Sequence, residues 1–405
     1  MLFVSVGACS TKEPTTNPSA SGEPIVVGST LALTGAFAAT GVIHKIAGEA
    51  FVARLNASGG LLGRPVEWKV LDDASDTTKI AGYYEQLITQ DNVDLILGPY
   101  ATPNILAAMA VAERHGFVLP HHTAVLAPQL TYSCQFPGWS IGPTPNSYIP
   151  NELFDALESL PNPPKKIAIL TSQSGSAAFV TNGLGDDKNG FPTIAARRGL
   201  QVVVNEPYAP GTTDWTNLAT KVRDAQPDVL LSVSLGVDTV GQLNAMKQLG
   251  YKPPLTFSLF PAPGPLLGLG ADGEGVLSVS IFEPNKPIID KLGGDVQSIV
   301  DDFKARATAQ NVPYTAFETQ AAASWNAWQI LTEGVKGANS LDQKAICDSL
   351  HAKGAQTTFA GHLSFDPTVN NFWPTNLGIK QIQNGDWVMV WPSTRAAGTI
   401  KGAAS

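Results

Sequence analysis

The sequence predicts an α/β protein made of two lobes, each built on a parallel β-sheet that helices cover on both faces. Three observations predict this class. The 405 residues give room for two domains. Strands and helices alternate from Pro24 onward, and this alternation pauses between about Thr123 and Ser147 before it begins again.

The first half of the chain follows a β-α-β-α-β-α-β order, which requires a parallel sheet. Val66, Trp68 and Val70 alternate with charged residues, the pattern of a half-exposed strand. Asp76 is suited to cap the helix that follows. We predict strands over 25–28, 66–70, 93–97 and 117–119, and helices over 43–54, 76–90 and 104–115.

The second half repeats the alternation and ends in two long helices and a strand-rich tail. The turn Asn384-Gly385-Asp386 is typical of a hairpin. We predict strands over 166–171, 201–204, 228–233, 255–257 and 379–390, and helices within 176–198 and over 214–225, 238–249, 296–310 and 315–337.

The N-terminus has the pattern of an exported lipoprotein. Residues 1–6 are apolar, and Gly7 and Ala8 precede Cys9, as at the end of a secretory signal before a lipid-modified cysteine. The alternative is a short apolar terminus without this role. Residues 11–23 are polar and of low complexity. We therefore predict that residues 1–24 are a signal remnant and tether, and that Cys9 carries lipid.

Composition excludes several classes of partner. The formal net charge of -8 is spread along the chain, and no cluster of Lys and Arg is dense enough to neutralise a row of phosphates. We therefore expect no nucleic-acid partner. No run of about 20 apolar residues is present after the N-terminus. The predicted attachment to a membrane is a lipid anchor.

Two further cysteines, Cys134 and Cys347, are compatible with two states. Export permits a disulfide between them, and two buried thiols are the alternative. Neither lies in a CxxC or Cys/His spacing, so we predict no metal site.

Six segments of the chain form a recognisable series, namely GSTLALTGAFAATG (28–41), LNASGGLLGRPVEW (55–68), DDASD (72–76), DLILGPYATPN (94–104), TDWTNLATKVRDAQPDVLL (213–231) and GHLSFDPT (361–368). Taken in this order, they resemble the type I periplasmic binding proteins of ABC transporters, specifically the Leu/Ile/Val-binding group that takes branched-chain amino acids and amides. The resemblance implies two Rossmann-like lobes joined by a three-strand hinge. Lobe 1 would comprise 25–143 plus 264–362, and lobe 2 would comprise 146–260 plus 365–392.

The strand ends of the first lobe supply candidate ligand-binding residues. Thr102 can cap a helix, Pro103 suits its first turn, and free backbone amides there favour a carboxylate. An ordinary capped helix is the alternative. The resemblance implies that Thr102 and Thr123 bind the ligand through hydroxyls and that His121 binds through its backbone. His122 is either a direct contact or a polar loop residue. Phe37, Thr40 and Tyr100 lie in the same group of loops.

The second lobe departs from the amino-acid-binding pattern. The resemblance implies an acid after strand 255–257 that pairs with the ligand ammonium, but the chain has Ser258 to Pro263 there without one. The resemblance implies tyrosines near Ser176 and Gly236, and because this chain has none there, Ser176 and Gly236 themselves are candidate ligand-binding residues. Because a buried unpaired ammonium is costly, we expect an aromatic or other organic carboxylate, or an amino-acid derivative, with Phe260 on the apolar side. The gapped alignment leaves Asp238 as an alternative acid.

These features predict a binding protein rather than an enzyme. The sequence has no GxSxG, GxxxxGK[ST] or GxGxxG motif in a suitable place. We expect no cofactor, a monomer, and an extracytoplasmic location. The predicted function is the substrate-binding lipoprotein of an ABC importer, with a permease as partner. A branched-chain amino-acid or amide binder is one alternative, and a ligand sensor coupled to a regulator is another.

Overall fold

The computed structural model of the chain describes residues 20–122, 124–373 and 377–402. Its first sheet has three parallel strands, β1 (Ile25–Leu31), β2 (Val66–Asp72) and β3 (Leu95–Ile96), in the order β2-β1-β3. Helices α1 (Ala38–Ala57), α2 (Thr77–Thr89) and α3 (Thr102–His115) follow the three strands. The order of these six elements confirms the predicted alternation.

The fourth predicted strand of the first half lies outside this sheet. Strand β4 (Leu119–His121) begins two residues later than predicted and pairs in parallel with β5 (Gln135–Pro137). The backbone N–H of Gly98 donates to the carbonyl of Pro120 at 2.7 Å, which joins this pair to the end of β3. The carboxyl ends of β3 and β4 therefore lie side by side.

The second sheet has seven strands in the order β14-β13-β10-β9-β8-β6-β7. Strands β7, β6, β8, β9 and β10 run parallel to one another. Strand β13 runs antiparallel to both of its neighbours, β10 and β14. Their bounds are β6 (Lys166–Ser172), β7 (Gln201–Tyr208), β8 (Val229–Gly236), β9 (Leu255–Pro261), β10 (Leu277–Ser280), β13 (Gly378–Gln383) and β14 (Asp386–Trp391).

Strand β10 corrects the predicted lobe boundary. Residues 264–362 were assigned to the first lobe, but Leu277 pairs with Phe257 of β9 and with Gln381 of β13, inside the second sheet. The physical reason is a short crossover, because helix α9 (Pro263–Leu267) and one further turn return the chain parallel to β9. The alternation of Leu277 and Val279 with serines is the sequence signal of this strand.

The remaining elements pack around the two sheets, and β11 pairs with β12 as a separate antiparallel hairpin. They are α4 (Pro145–Glu158), α5 (Gly175–Asn182), α6 (Phe191–Arg197), α7 (Thr216–Ala225), α8 (Asp238–Gln248), α10 (Lys286–Leu292), α11 (Val296–Ala309), α12 (Thr319–Ala338), α13 (Gln343–Lys353), β11 (Ala355–Thr357) and β12 (Gly361–Leu363).

Helix α12 is the central helix of the core. Most of its residues between Thr319 and Val335 are buried, including polar ones such as Ser324 and Asn326. Gly138 allows its close approach, because a Cβ on Gly138 would lie 2.6 Å from the carbonyl oxygen of Ala323. The start of α12 is thereby fixed beside the ends of β4 and β5.

A disulfide joins Cys134, just before β5, to Cys347 on α13. Of the two states compatible with the sequence, a disulfide or two buried thiols, the structure has the disulfide. Within the described ranges, none of the helices combines the length and the apolar content that a membrane span requires.

Candidate functional site

A cleft opens where the carboxyl ends of strands from both sheets face each other. It contains about 340 Å³ of empty space, part of it open to solvent. Parallel sheets place ligands at this edge. The cleft is lined by Tyr100, Ala101, Thr102, Ala124, Val125, Trp139, Ile141, Ser176, Leu235, Phe260 and Gln320.

The first lobe presents the N-terminus of α3 to the cleft. Thr102 is the first residue of this helix and Ala101 is its N-cap, so the prediction that Thr102 is the cap was wrong. Ala101 has a φ of 74°, a strained value for a residue with a Cβ and one that is common at functional sites. With Ala101 in this conformation as the N-cap, Thr102 is the first residue of the helix.

The hydroxyl of Thr102 is buried and oriented. Its Oγ1 accepts a hydrogen bond from the backbone N–H of Val125 at 3.1 Å, which leaves its own proton available. The first-turn amides of α3 have no acceptor within the helix, and they carry the positive end of its dipole. A hydroxyl proton and backbone amides together are suited to a carboxylate.

Aromatic and apolar side chains form the opposite part of the wall. Phe260 near the end of β9 packs against Trp139 edge to face, with ring centroids 5.7 Å apart. Ser176 in the first turn of α5 supplies a buried hydroxyl, and Leu235 comes from β8. This part of the cleft is suited to a flat or branched apolar body.

Three predicted residues lie beside the cleft without lining it. Burial raises the pKa of the Tyr100 hydroxyl well above its ordinary value. A hydrogen bond with the side chain of Thr40 lowers this pKa by a smaller amount. Phe37 packs against Tyr100 at 5.9 Å between ring centroids. A Cβ on Gly236 would lie 3.7 Å from Cδ1 of Phe37, so these two residues face each other from the two lobes.

The two predicted histidines lie behind the cleft wall. His121 is fully buried, and its Nε2 is 2.6 Å from Oε1 of Gln135. His122 stacks on His44 with centroids 4.3 Å apart, and His44 in turn lies 5.1 Å from Tyr100. Neither side chain of the predicted pair lines the cleft, because the strand end turns both rings into the core.

Burial keeps these imidazoles neutral. Desolvation lowers the pKa of His121 to about 4, and desolvation together with His121 lowers that of His122 to about 3. Desolvation and the nearby His122 hold the pKa of His44 well below 6.5. The histidines therefore bring no positive charge to the site near neutral pH.

No acidic or basic side chain of the described residues lines the cleft. Asp238, the alternative acid, lies outside it and accepts a hydrogen bond from the hydroxyl of Tyr208 at 2.9 Å. Glu318 precedes α12, but its carboxylate is occupied. It accepts from the backbone N–H of Gln320 at 2.8 Å and pairs with Lys380 at 3.0 Å. The site is therefore electrically neutral.

The structure brings four predicted residues together in the cleft: Tyr100, Thr102, Ser176 and Phe260. Thr123 and Cys9 lie outside the described residues. Sequence reasoning missed Gln320, because no motif marks the first turn of a long apolar helix as part of a site. It also missed Val125 and His44, whose positions depend on tertiary packing.

Comparison with known proteins identifies the family and the fold. The model of the periplasmic binding protein family matches residues 24–386. A Leu/Ile/Val-binding protein homologue of Brucella abortus is 23% identical over 93% of this chain and 94% of its own length. A second Leu/Ile/Val-binding protein homologue of that organism is 28% identical over 56% of this chain. The chain spans about half the length of this relative, 54%.

Solved structures show the same fold. The isoleucine-bound LivJ of Streptococcus pneumoniae superposes with a TM-score of 0.69 at 19% identity, over 90% of this chain and 98% of its own. A benzoate-bound solute-binding protein of an ABC transporter from Rhodopseudomonas palustris superposes at 0.72 with 17% identity, over 95% and 98%. The chain belongs to the periplasmic binding protein family, whose members bind solutes and are not enzymes.

Proposed function

We propose that this protein is the extracytoplasmic substrate-binding component of an ABC importer, and that it closes two lobes around a small carboxylate. Family membership supports the binding role. The position of the cleft supports the closure, because its walls come from the strand ends of both sheets. A ligand that binds the closed form better than the open form draws the lobes together.

The single observation that carries the ligand class is the neutrality of the cleft. An α-amino acid would bring an ammonium group, and no acidic side chain of the described residues lines the cleft to receive it, since Glu318 lies outside that lining and contacts Lys380. Leaving a buried ammonium without an anion costs several kcal/mol. The proposed ligand is therefore a carboxylate without an ammonium group, held at Thr102 and the start of α3, with its apolar body against Phe260 and Trp139.

The two ligand-bound neighbours mark the alternatives. One holds benzoate and the other holds isoleucine. The edge-to-face pair of Trp139 and Phe260 and the absence of a free acid among the cleft residues favour an acid of the benzoate kind. A branched-chain amino acid remains the second candidate because of the relatives named for Leu, Ile and Val.

Attachment and partners are further parts of the proposal. The order of small residues before Cys9 supports a lipid anchor that holds a monomer at the outer side of a membrane. A permease of the ABC type would receive the ligand from the closed form. A sensor function would use the same closure and differ only in the partner.

Isothermal titration of the purified protein tests the ligand class. We expect benzoate or another non-amino carboxylate to bind, and leucine, isoleucine and valine to bind at least tenfold more weakly. Tight binding of leucine with no binding of any simple carboxylate would contradict the proposal.

The variant Thr102→Val tests the position of the carboxylate. It keeps the volume of the side chain and removes the hydroxyl, so we expect the bound acid to lose about tenfold in affinity, the value of one hydrogen bond to a charged group. The control is Thr308→Val, on the exposed face of α11. Unchanged affinity in a folded Thr102→Val protein would place the carboxylate elsewhere.

A further inference from the structure

The side chain of Gln320 is a buried polar group of the cleft. Gln320 lines the cleft and is only 5% exposed. Its Oε1 has no partner in hydrogen-bonding geometry in the part of the chain that the structure describes, although the side chain lies close enough to the His44 ring to raise the pKa of that ring against the effect of burial. Buried amide groups without a partner are rare in folded proteins, and each one calls for an explanation.

The surroundings fix Gln320 in this place. Its backbone N–H donates to Glu318, whose second oxygen pairs with Lys380 at 3.0 Å, and Lys380 also pairs with Glu283 at 2.8 Å. The hydroxyl of Thr319, the preceding residue, accepts from the N–H of Ile281 at 3.1 Å. The first turn of α12, and with it the backbone of Gln320, is therefore held by a buried network.

A second buried polar atom of the cleft also has no hydrogen-bond partner among the described residues, and it is a donor rather than an acceptor. The indole Nε1 of Trp139 is buried, lines the same space and is without an acceptor among the described residues. An indole N–H only donates, whereas the Oε1 of Gln320 only accepts. A hydroxyl or an amide group carries both a donor and an acceptor, so a ligand with such a group can satisfy both atoms.

We infer that Gln320 is a specificity-determining residue of the cleft, and that the ligand carries an uncharged hydrogen-bonding group, a hydroxyl or an amide, in addition to its carboxylate. This inference rests on the proposed function and narrows its substrate class. The group is uncharged because no ionised side chain lines the cleft. A site with buried polar atoms selects strongly against analogues that leave them unpaired.

Isothermal titration with matched acids tests the inference. The probes are benzoate, the ortho, meta and para hydroxybenzoates, pentanoate, and hydroxylated and amide derivatives of pentanoate. We expect at least one substituted acid to bind tenfold or more tightly than its parent. In Gln320→Leu this preference, taken as the ratio of the two affinities in the same variant, should fall below threefold.

Gln248→Leu on the exposed end of α8 is the control and should keep the preference. Gln320→Met, which keeps the chain length, replaces Gln320→Leu if that variant does not fold. The inference is overturned if the unmodified protein binds the acids without preference, or if the preference survives in Gln320→Leu or Gln320→Met. If no acid binds to the unmodified protein, the proposed function fails together with the inference.

Discussion

At the scale of single residues, the buried histidines make the stability of the protein depend on pH. His44, His121 and His122 are fully buried, and their pKa values lie below 6.5 in the folded state. In the unfolded chain the same residues take up protons near 6.5. Below this pH the unfolded state therefore binds more protons, and stability falls as the pH falls.

We expect the free energy of unfolding to decrease from pH 7 to pH 5, by up to about 1.4 kcal/mol per pH unit for each of these histidines. Burial also raises the pKa values of the carboxyls of Glu283, Asp73 and Asp238, which act in the opposite direction and reduce the net slope. Urea unfolding at a series of pH values measures the dependence.

The variant His122→Phe isolates one of the three contributions. It keeps a ring that can stack on His44 and removes one titrating group, so its stability should fall less steeply below pH 6.5. His362→Gln, at an exposed position of β12, is the control and should keep the slope of the unmodified protein. An equal slope in His122→Phe would show that this ring is already solvated in the folded state.

At the scale of elements, the sequence predicts what local periodicity determines. Tyr100 and Thr102 follow β3, Ser176 follows β6, and Phe260 lies near the end of β9; these strands were predicted because buried parallel strands are near-continuous apolar runs. The four residues were singled out as candidates by their place at the strand ends together with the resemblance to the binding-protein family. The contribution of α12 was missed, since Gln320 reaches the cleft only through tertiary packing against segments nearly two hundred residues earlier in the chain.

Strand β10 shows the same limit from another side. Its four residues carry a clear alternation, but alternation does not say which sheet a strand joins. The sheet that β10 joins is decided by the short crossover after β9, in which helix α9 has only five residues. The disulfide could not be predicted for a similar reason, because a separation of 213 residues along the chain does not indicate how far apart Cys134 and Cys347 lie in the fold.

The disulfide between β5 and α13 gives a prediction at this scale. It closes a loop of 213 residues, and a loop of this length restricts the unfolded chain strongly. We expect reduction to lower the free energy of unfolding by about 2–5 kcal/mol, as measured by urea unfolding with and without dithiothreitol. Cys347→Ala should have the lower stability in both conditions. Equal stability of the oxidised and the fully reduced protein would contradict this account.

At the scale of the whole molecule, the proposed function depends on how firmly the two lobes hold each other once the ligand is bound. Phe37 at the start of α1 and Gly236 at the end of β8 face each other from different sheets. Phe37 is half-buried, so it contributes little to the core of its own lobe. Its contact across the cleft stabilises mainly the closed form.

We therefore expect Phe37→Ala to speed dissociation of the bound acid about tenfold, while association changes by less than about threefold, because affinity within one interface is adjusted mostly through dissociation. Stopped-flow mixing followed by tryptophan fluorescence measures both rates. The melting temperature without ligand should stay within about 2 °C of that of the unmodified protein, since a half-buried side chain at a helix start contributes little to overall stability. Leu292→Ala, at the exposed end of α10 and outside the cleft, should leave both rates unchanged. If Phe37→Ala instead slows association and leaves dissociation unchanged, Phe37 acts on the open form, and closure depends on other contacts between the lobes.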